Sequence, residues 1–122
     1  MTDTQIDAPK MFREMHDIEI ENVEMTDADE VFWRCNRLNI KNLKLHGGTY
    51  PFMFCNGLRI DGLESDSKYV FQYVKNMELR NAKITTKDAL WETENVTVYD
   101  SELNGEYLGW HSRNLRLVNC RI

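Results

Sequence analysis

Several things are scarce in this sequence, and each scarcity removes a class of protein. Two prolines and six glycines in 122 residues exclude collagen-like order and low-complexity disorder. Three cysteines, Cys35, Cys55 and Cys120, are an odd number without metal-type spacing. They form neither a disulfide framework nor a zinc motif, and free thiols in a reducing compartment are expected. No apolar run approaches the ~20 residues of a membrane helix. The start, Met1-Thr2-Asp3-Thr4-Gln5-Ile6-Asp7, is polar and acidic, the opposite of a signal peptide. The expected address is therefore the cytoplasm, with no membrane partner, and the acceptor-like Asn95-Val96-Thr97 carries no weight there. Lys and Arg are scattered singly and the net charge is -5, so nucleic acid is excluded as a partner.

What is present is a repeat. The stretch Leu38-Asn39-Ile40-Lys41-Asn42 recurs as Ile18 to Asn22, Leu58 to Gly62, Met77 to Asn81, Val96 to Asp100 and Leu115 to Asn119. Successive copies are 19 or 20 residues apart. Other columns follow the same spacing. Met25, Leu45, Ser65, Ile84, Leu103 and Ile122 form one; Phe12, Phe32, Phe52, Phe71, Leu90 and Gly109 form another. A third runs Met15, Cys35, Cys55, Val74, Thr93 and Ser112. These three columns are expected to face inward. Asn22, Asn42, Asn81 and Asn119 are expected at equivalent corners, with Gly62 and Asp100 replacing Asn in the other two copies.

The apolar pairs alternate with period two and their partners are mostly charged, which is the pattern of a strand and not of a helix. A leucine-rich repeat is the nearest rival in length, but it places two residues between the last apolar strand position and the Asn, where this sequence has one. A unit this short must turn through strands joined by tight corners. The expected fold is all-β, a parallel β-helix of about six coils stacked at ~4.8 Å each. Residues 10–122 are expected to form the β-helix and residues 1–9 a tail or cap, in which Ile6 plugs the first coil.

Chemistry is hard to find in these columns. A glycoside mechanism needs two facing carboxylates about 5 to 9.5 Å apart. The column Lys10, Glu30, Tyr50, Tyr69, Asp88, Tyr107 puts its two acids three coils, roughly 14 Å, apart. Asp27, Asp29 and Glu30 read as a solvated turn and not as a calcium site. His16, His46 and His111 occupy different repeat positions, so no metal site is expected. Cys35 and Cys55 lie in an inward column with no activating partner. No catalytic residue and no cofactor is expected.

One feature stands out. The columns Arg13, Trp33, Met53, Gln72, Trp91, Trp110 and Glu14, Arg34, Phe54, Tyr73, Glu92, His111 lie between two inward columns. They set Trp33, Phe54, Tyr73, Trp91 and Trp110 along one edge, near Asp88, Glu92 and His111. Such a strip can stack on sugar rings while the acids and imidazole take hydroxyl groups. It can equally be a ring ladder that stabilises the coils, which repetition alone favours. A structural or self-assembling solenoid and a carbohydrate-binding surface both remain open, the latter as a remnant of a polysaccharide-active enzyme.

The phrases Lys87-Asp88-Ala89-Leu90-Trp91, Asn95-Val96-Thr97-Val98 and Gly105-Glu106-Tyr107-Leu108-Gly109-Trp110, with Val70-Phe71-Gln72-Tyr73 and Leu117-Val118-Asn119-Cys120, carry a resemblance. The chain resembles an uncharacterised bacterial domain-of-unknown-function family of pectin-lyase-like proteins. The resemblance covers roughly Met11 to Ile122 and implies a right-handed parallel β-helix with no established activity. Family members are about twice as long, so the chain resembles a shortened version. Leu115, Leu117, Cys120 and Ile122 then belong to an uncovered final turn. Such an edge is a template for pairing, and a homodimer through the C-terminal coil is expected.

Overall fold

The computed structural model describes residues 2–7, 12–86, 89–105, 109 and 111–121. Among these residues there are eight strands and no helix: β1 (Thr2–Asp7), β2 (His16–Thr26), β3 (Asn36–His46), β4 (Asn56–Ser65), β5 (Lys75–Thr85), β6 (Glu94–Tyr99), β7 (Glu102–Asn104) and β8 (Arg113–Val118). They form one sheet in the order β1-β2-β3-β4-β5-β6-β8, with β7 pairing β5. Every pairing is parallel, and each pairs a strand with its equivalent one coil away: Ile18 faces Leu38, Leu38 faces Leu58, Leu58 faces Met77, Met77 faces Val96, and Val96 faces Leu115. The chain is a β-solenoid of about five turns with 19- to 20-residue spacing, close to the six coils expected.

The strands are long but not straight. Each of β2 to β5 has a left-handed residue at its second and seventh positions, among them Asn22, Asn42, Gly62 and Asn81 at the seventh. Asp100 and Asn119 share that conformation. Asp100 falls between β6 and β7, where the equivalent strand is broken in two. Asn and Gly enter this region at low cost. Gly62 also solves a space problem, since a Cβ there would lie 2.6 Å from Asn42 Oδ1.

Between the bends, alternation decides which side chains enter the core. Ile20, Leu38, Ile40, Leu58, Ile60, Leu79, Val96 and Val98 are almost wholly buried. The residues between them face outward, with Glu19, Asn39, Arg59 and Arg116 exposed and Glu78 and Thr97 half-exposed. Phe32, Phe52, Phe71 and Leu90 are buried, and the first three rings stack at centroid separations of 4.7 and 4.8 Å. Phe12 continues the stack below Phe32 at 5.0 Å. Ser65, the one polar residue in its column, is buried and satisfied, its hydroxyl accepting from the Ser67 amide at 3.2 Å.

The first coil departs from the expected burial. Met15 is 42% exposed and Ile18 and Phe12 only half-buried. β1 pairs with Glu21 to Thr26 alone, Ile6 standing opposite Met25. The earlier half of β2 therefore has no neighbouring strand on that side among the described residues.

Candidate functional site

The aromatic strip forms on the segments that join one long strand to the next. In these segments alternate residues are left-handed: Glu30, Phe32 and Arg34; Tyr50, Phe52 and Phe54; Tyr69, Phe71 and Tyr73. Bulky residues take up this conformation at a cost, and main-chain bonds in both directions hold them there. Phe52 and Phe71 donate to the preceding coil, at Val31 and Pro51 carbonyls, with distances of 2.9 and 3.2 Å. Phe54 and Tyr73 donate to the following coil, at Gln72 and Trp91 carbonyls, at 3.1 and 2.9 Å. Phe52 and Phe71 enter the core, while Phe54 and Tyr73 face solvent.

Of the two columns singled out in the sequence, one is the outward one. Phe54 and Tyr73 are 41% and 40% exposed, and their rings stack at 5.0 Å with 18° between planes. Trp33 is half-buried and meets Phe54 edge-on at 5.5 Å. Trp91 is also half-buried. Met53 and Gln72, from the same column as the tryptophans, are buried. Arg34 lies 5.6 Å from the Phe54 ring and 3.9 Å from the Glu14 carboxylate, and Arg13 lies 5.5 Å from the Trp33 ring.

One coil beyond Tyr73 the column turns polar. Glu92 and His111 are exposed and line an open hollow of about 530 Å³ with Thr93, Glu94, Ser112 and Arg113. Its inner wall is a closed hydroxyl chain. Thr93 Oγ1 bonds Ser112 Oγ at 2.8 Å, which donates to the Leu90 carbonyl at 2.6 Å. The structure thus brings Trp33, Phe54, Tyr73, Glu92 and His111 onto one flank, and leaves Trp91 half-buried. Asp88 and Trp110 lie outside the described residues.

The remaining candidates are placed as follows. Leu115 and Cys120 are half-buried and Leu117 is 37% exposed, while Ile122 lies outside the described residues. Cys35, Cys55 and Cys120 are free thiols. Cys35 and Cys55 donate to the Phe12 and Phe32 carbonyls at 2.8 and 2.7 Å. The neighbouring Cys55 thiol lowers the Cys35 pKa, while the Cys35 thiol together with burial raises that of Cys55. His46 bonds Glu24 at 2.9 Å and His16 bonds Asn36 at 2.9 Å, two separate places in the coil. Asp29 accepts from the Thr49 amide and hydroxyl at 2.9 and 2.7 Å, tying one coil to the next. Among the described residues no three His, Cys, Asp or Glu side chains group as metal ligands would, and no helix is long and apolar enough to cross a membrane.

Sequence reasoning missed an amide ladder. Asn76 donates to Asn56 at 2.9 Å, Asn95 to Asn76 at 3.3 Å, and Asn114 to Asn95 at 2.8 Å. The signal was the column just before the first apolar position, which reads Asp17, Arg37, Gly57, Asn76, Asn95, Asn114. The tyrosine pair Tyr50 and Tyr69, stacked at 4.9 Å, was likewise legible as a column.

Set against known proteins, residues 1–122 match the model of a family described as Protein of unknown function (DUF3737). No curated protein and no solved structure matches.

Proposed function

We propose, from the premise that the chain belongs to this family of unknown function, that it is a non-catalytic β-solenoid whose role is structural. The observation that carries this reading is that like side chains are stacked from coil to coil in several columns. Phe12, Phe32, Phe52 and Phe71 stack in one column, Tyr50 and Tyr69 stack in another, Asn22 and Asn42 bond at one corner, and Asn56, Asn76, Asn95 and Asn114 bond in series at a second. Repeats stacked this way build stiffness along one axis. The right-handed, pectin-lyase-like winding that the resemblance implies belongs to the same proposal, and the uniform parallel pairing supports it. Free thiols support a reducing compartment such as the cytoplasm. Incubation with acidic and neutral polysaccharides should release no reducing or unsaturated sugar. Release that disappears in Glu92→Gln would overturn the reading.

Self-assembly extends it. β8 ends the sheet order and pairs only with β6 among the described residues, and Leu117 is 37% exposed there. A second copy of the 1–122 chain pairing at this end about a two-fold axis would close the edge. Sedimentation at tens of micromolar should give a dimer mass; a monomer would end the idea.

A second reading is favoured by one observation, the exposure of the stacked Phe54 and Tyr73 rings. Ring faces held rigidly at the surface can stack on sugars, and Glu92 and His111 stand next in line to bind hydroxyl groups. Under this reading Phe54→Ala/Tyr73→Ala abolishes glycan binding in an array or titration while stability changes little. Absence of binding to any neutral or acidic glycan by the native chain would exclude it.

A further inference from the structure

Two of the three thiols are stacked on one another. Cys35 and Cys55 hold the same inward column on adjacent coils, each one residue before its strand, and the next residues, Asn36 and Asn56, stand opposite in register. The Asn56 amide donates to the Cys35 carbonyl at 3.0 Å, so the two backbones run one strand spacing apart, about 4.8 Å. Both side chains take the same course. Cys35 Sγ donates to the Phe12 carbonyl at 2.8 Å and Cys55 Sγ to the Phe32 carbonyl at 2.7 Å. A disulfide joins α-carbons about 4.4 to 6.8 Å apart and β-carbons about 3.5 to 4.5 Å apart. One strand spacing meets the first condition. The second asks the stacked β-carbons to close by a few tenths of an ångström, which gives a strained bond that thiols reduce again.

The two thiols are not equivalent. Both are buried, but Cys55 lies between Cys35 and the buried Val74, whereas the column above Cys35 ends in Met15, which is 42% exposed. The Met15 carbonyl accepts from the Asn36 amide at 3.0 Å, and β1 pairs only with the half of β2 beyond it. A small solute therefore meets one incompletely covered layer on its way to Cys35. The Cys55 thiol, helped by the Met15 and Glu14 backbone, lowers the Cys35 pKa to about 7 against the effect of burial. A substantial fraction of Cys35 is then thiolate at neutral pH, the form that reacts. The partner that sequence reasoning did not find for Cys35 is Cys55 itself. Cys120 stands apart, in another column beside the Val98 carbonyl and three coils beyond Cys55, roughly 14 Å away.

We propose that Cys35 and Cys55 are a modification site, a dithiol that hydrogen peroxide closes to a disulfide between the second and third coils. The Cys35 sulfur attacks one peroxide oxygen. The O–O bond breaks, Cys35 becomes a sulfenic acid, and the departing hydroxide takes up the proton that Cys35 had released. The Cys55 sulfur then attacks the Cys35 sulfur. The S–O bond breaks, and hydroxide leaves as water with the Cys55 proton. Two thiols and one peroxide give one disulfide and two waters, the sulfurs oxidised and the peroxide oxygens reduced. The first step also readies the second, because the neutral sulfenic acid removes the Cys35 charge that disfavours ionisation of Cys55. In a reducing compartment such a bond is transient and reports an oxidant.

The test is oxidation of the folded 122-residue chain, and of Cys120→Ser, with a few equivalents of hydrogen peroxide at neutral pH. Alkylation, intact mass and peptide mapping follow, with circular dichroism reporting the fold. Cys120→Ser should lose about 2 Da and yield a peptide linking Cys35 to Cys55, and dithiothreitol should restore both thiols. Cys55→Ser should accumulate a sulfenic acid on Cys35 that dimedone traps. Iodoacetamide should modify Cys35 before Cys55 in the unoxidised chain. Any of four results overturns the proposal: both thiols still alkylated after peroxide treatment, oxygen added to Cys35 with no link to Cys55, a link that appears only in urea, or Cys55 modified first.

Discussion

Replacing Phe52 by Ala is the sharpest test of how the coils are held together. The ring is fully buried and lies between two others, with centroids 4.7 Å from Phe32 and 4.8 Å from Phe71. Truncating a buried Phe costs about 3 to 5 kcal/mol, and each ring contact adds roughly 0.5 to 1.5 kcal/mol beyond area burial. Losing two contacts at once places Phe52→Ala near the top of that range, at about 5 kcal/mol. The left-handed backbone at Phe52 is retained by Ala at the same steric cost, so relief of strain does not offset the loss. Phe54→Ala is the internal control, two residues away with its ring 41% exposed. It should cost about 1 kcal/mol, the worth of its stacking on Tyr73. Urea unfolding followed by circular dichroism would show the difference. With a slope near ~2 kcal/mol per molar, Phe52→Ala lowers the midpoint by about 2.5 M and Phe54→Ala by about 0.5 M. Equal shifts in the two variants, or a Phe52→Ala cost below about 1 kcal/mol, would refute the ladder as the main support of the core.

Three further perturbations probe other parts of the same logic. Gly48→Ala would place a Cβ 2.5 Å from the Ala28 carbonyl carbon at φ +78, whereas Gly47→Ala meets nothing within 4 Å. Thermal melts should show a loss of about 3 kcal/mol for Gly48→Ala, and about 1 kcal/mol for Gly47→Ala from the backbone alone. Asn95→Ala severs bonds to both Asn76 and Asn114, and chemical denaturation should register about 1 to 2 kcal/mol. The Asp17 carboxyl is held below its ordinary pKa by its hydrogen bond to Arg37, so its contribution is present above pH ~4 and is lost as pH falls through the lower folded value. Melting temperatures of the native chain and Asp17→Asn should therefore differ at neutral pH and converge below about pH 3.

How much of this was legible in the sequence depended on whether a residue's role is set by its coil or by its neighbours along the axis. The inward columns were readable because a 19- to 20-residue period brings like positions together, and burial then demands apolar side chains in each. Phe32, Phe52 and Phe71 follow from that demand alone. The corners were readable for a similar reason, since Asn22, Asn42, Gly62 and Asn81 are residue types that tolerate a left-handed backbone. Phe54 and Tyr73 were harder. Both adjacent columns lie between two inward ones, and nothing in their composition says which faces outward, because the joining segments place Phe, Tyr, Arg and Glu in a left-handed conformation that their types do not advertise.

The burial of the first coil and the pairing of the outward charges were beyond reach for different physical reasons. Met15 matches its column as well as Cys35 or Cys55 does, yet it is exposed because β1 runs along only the later half of β2. Burial in a solenoid comes from the coil on each side, and a column pattern does not say how much of the terminal coil is covered. Arg59 poses the converse problem. Its column predicts solvent exposure, which is correct, but not that Arg80 engages Glu78 while Arg59 itself lacks an acceptor. In a stacked repeat the core is governed by what recurs. What breaks the recurrence shapes the surface, as Gly57 does where every other coil carries a side chain in its column.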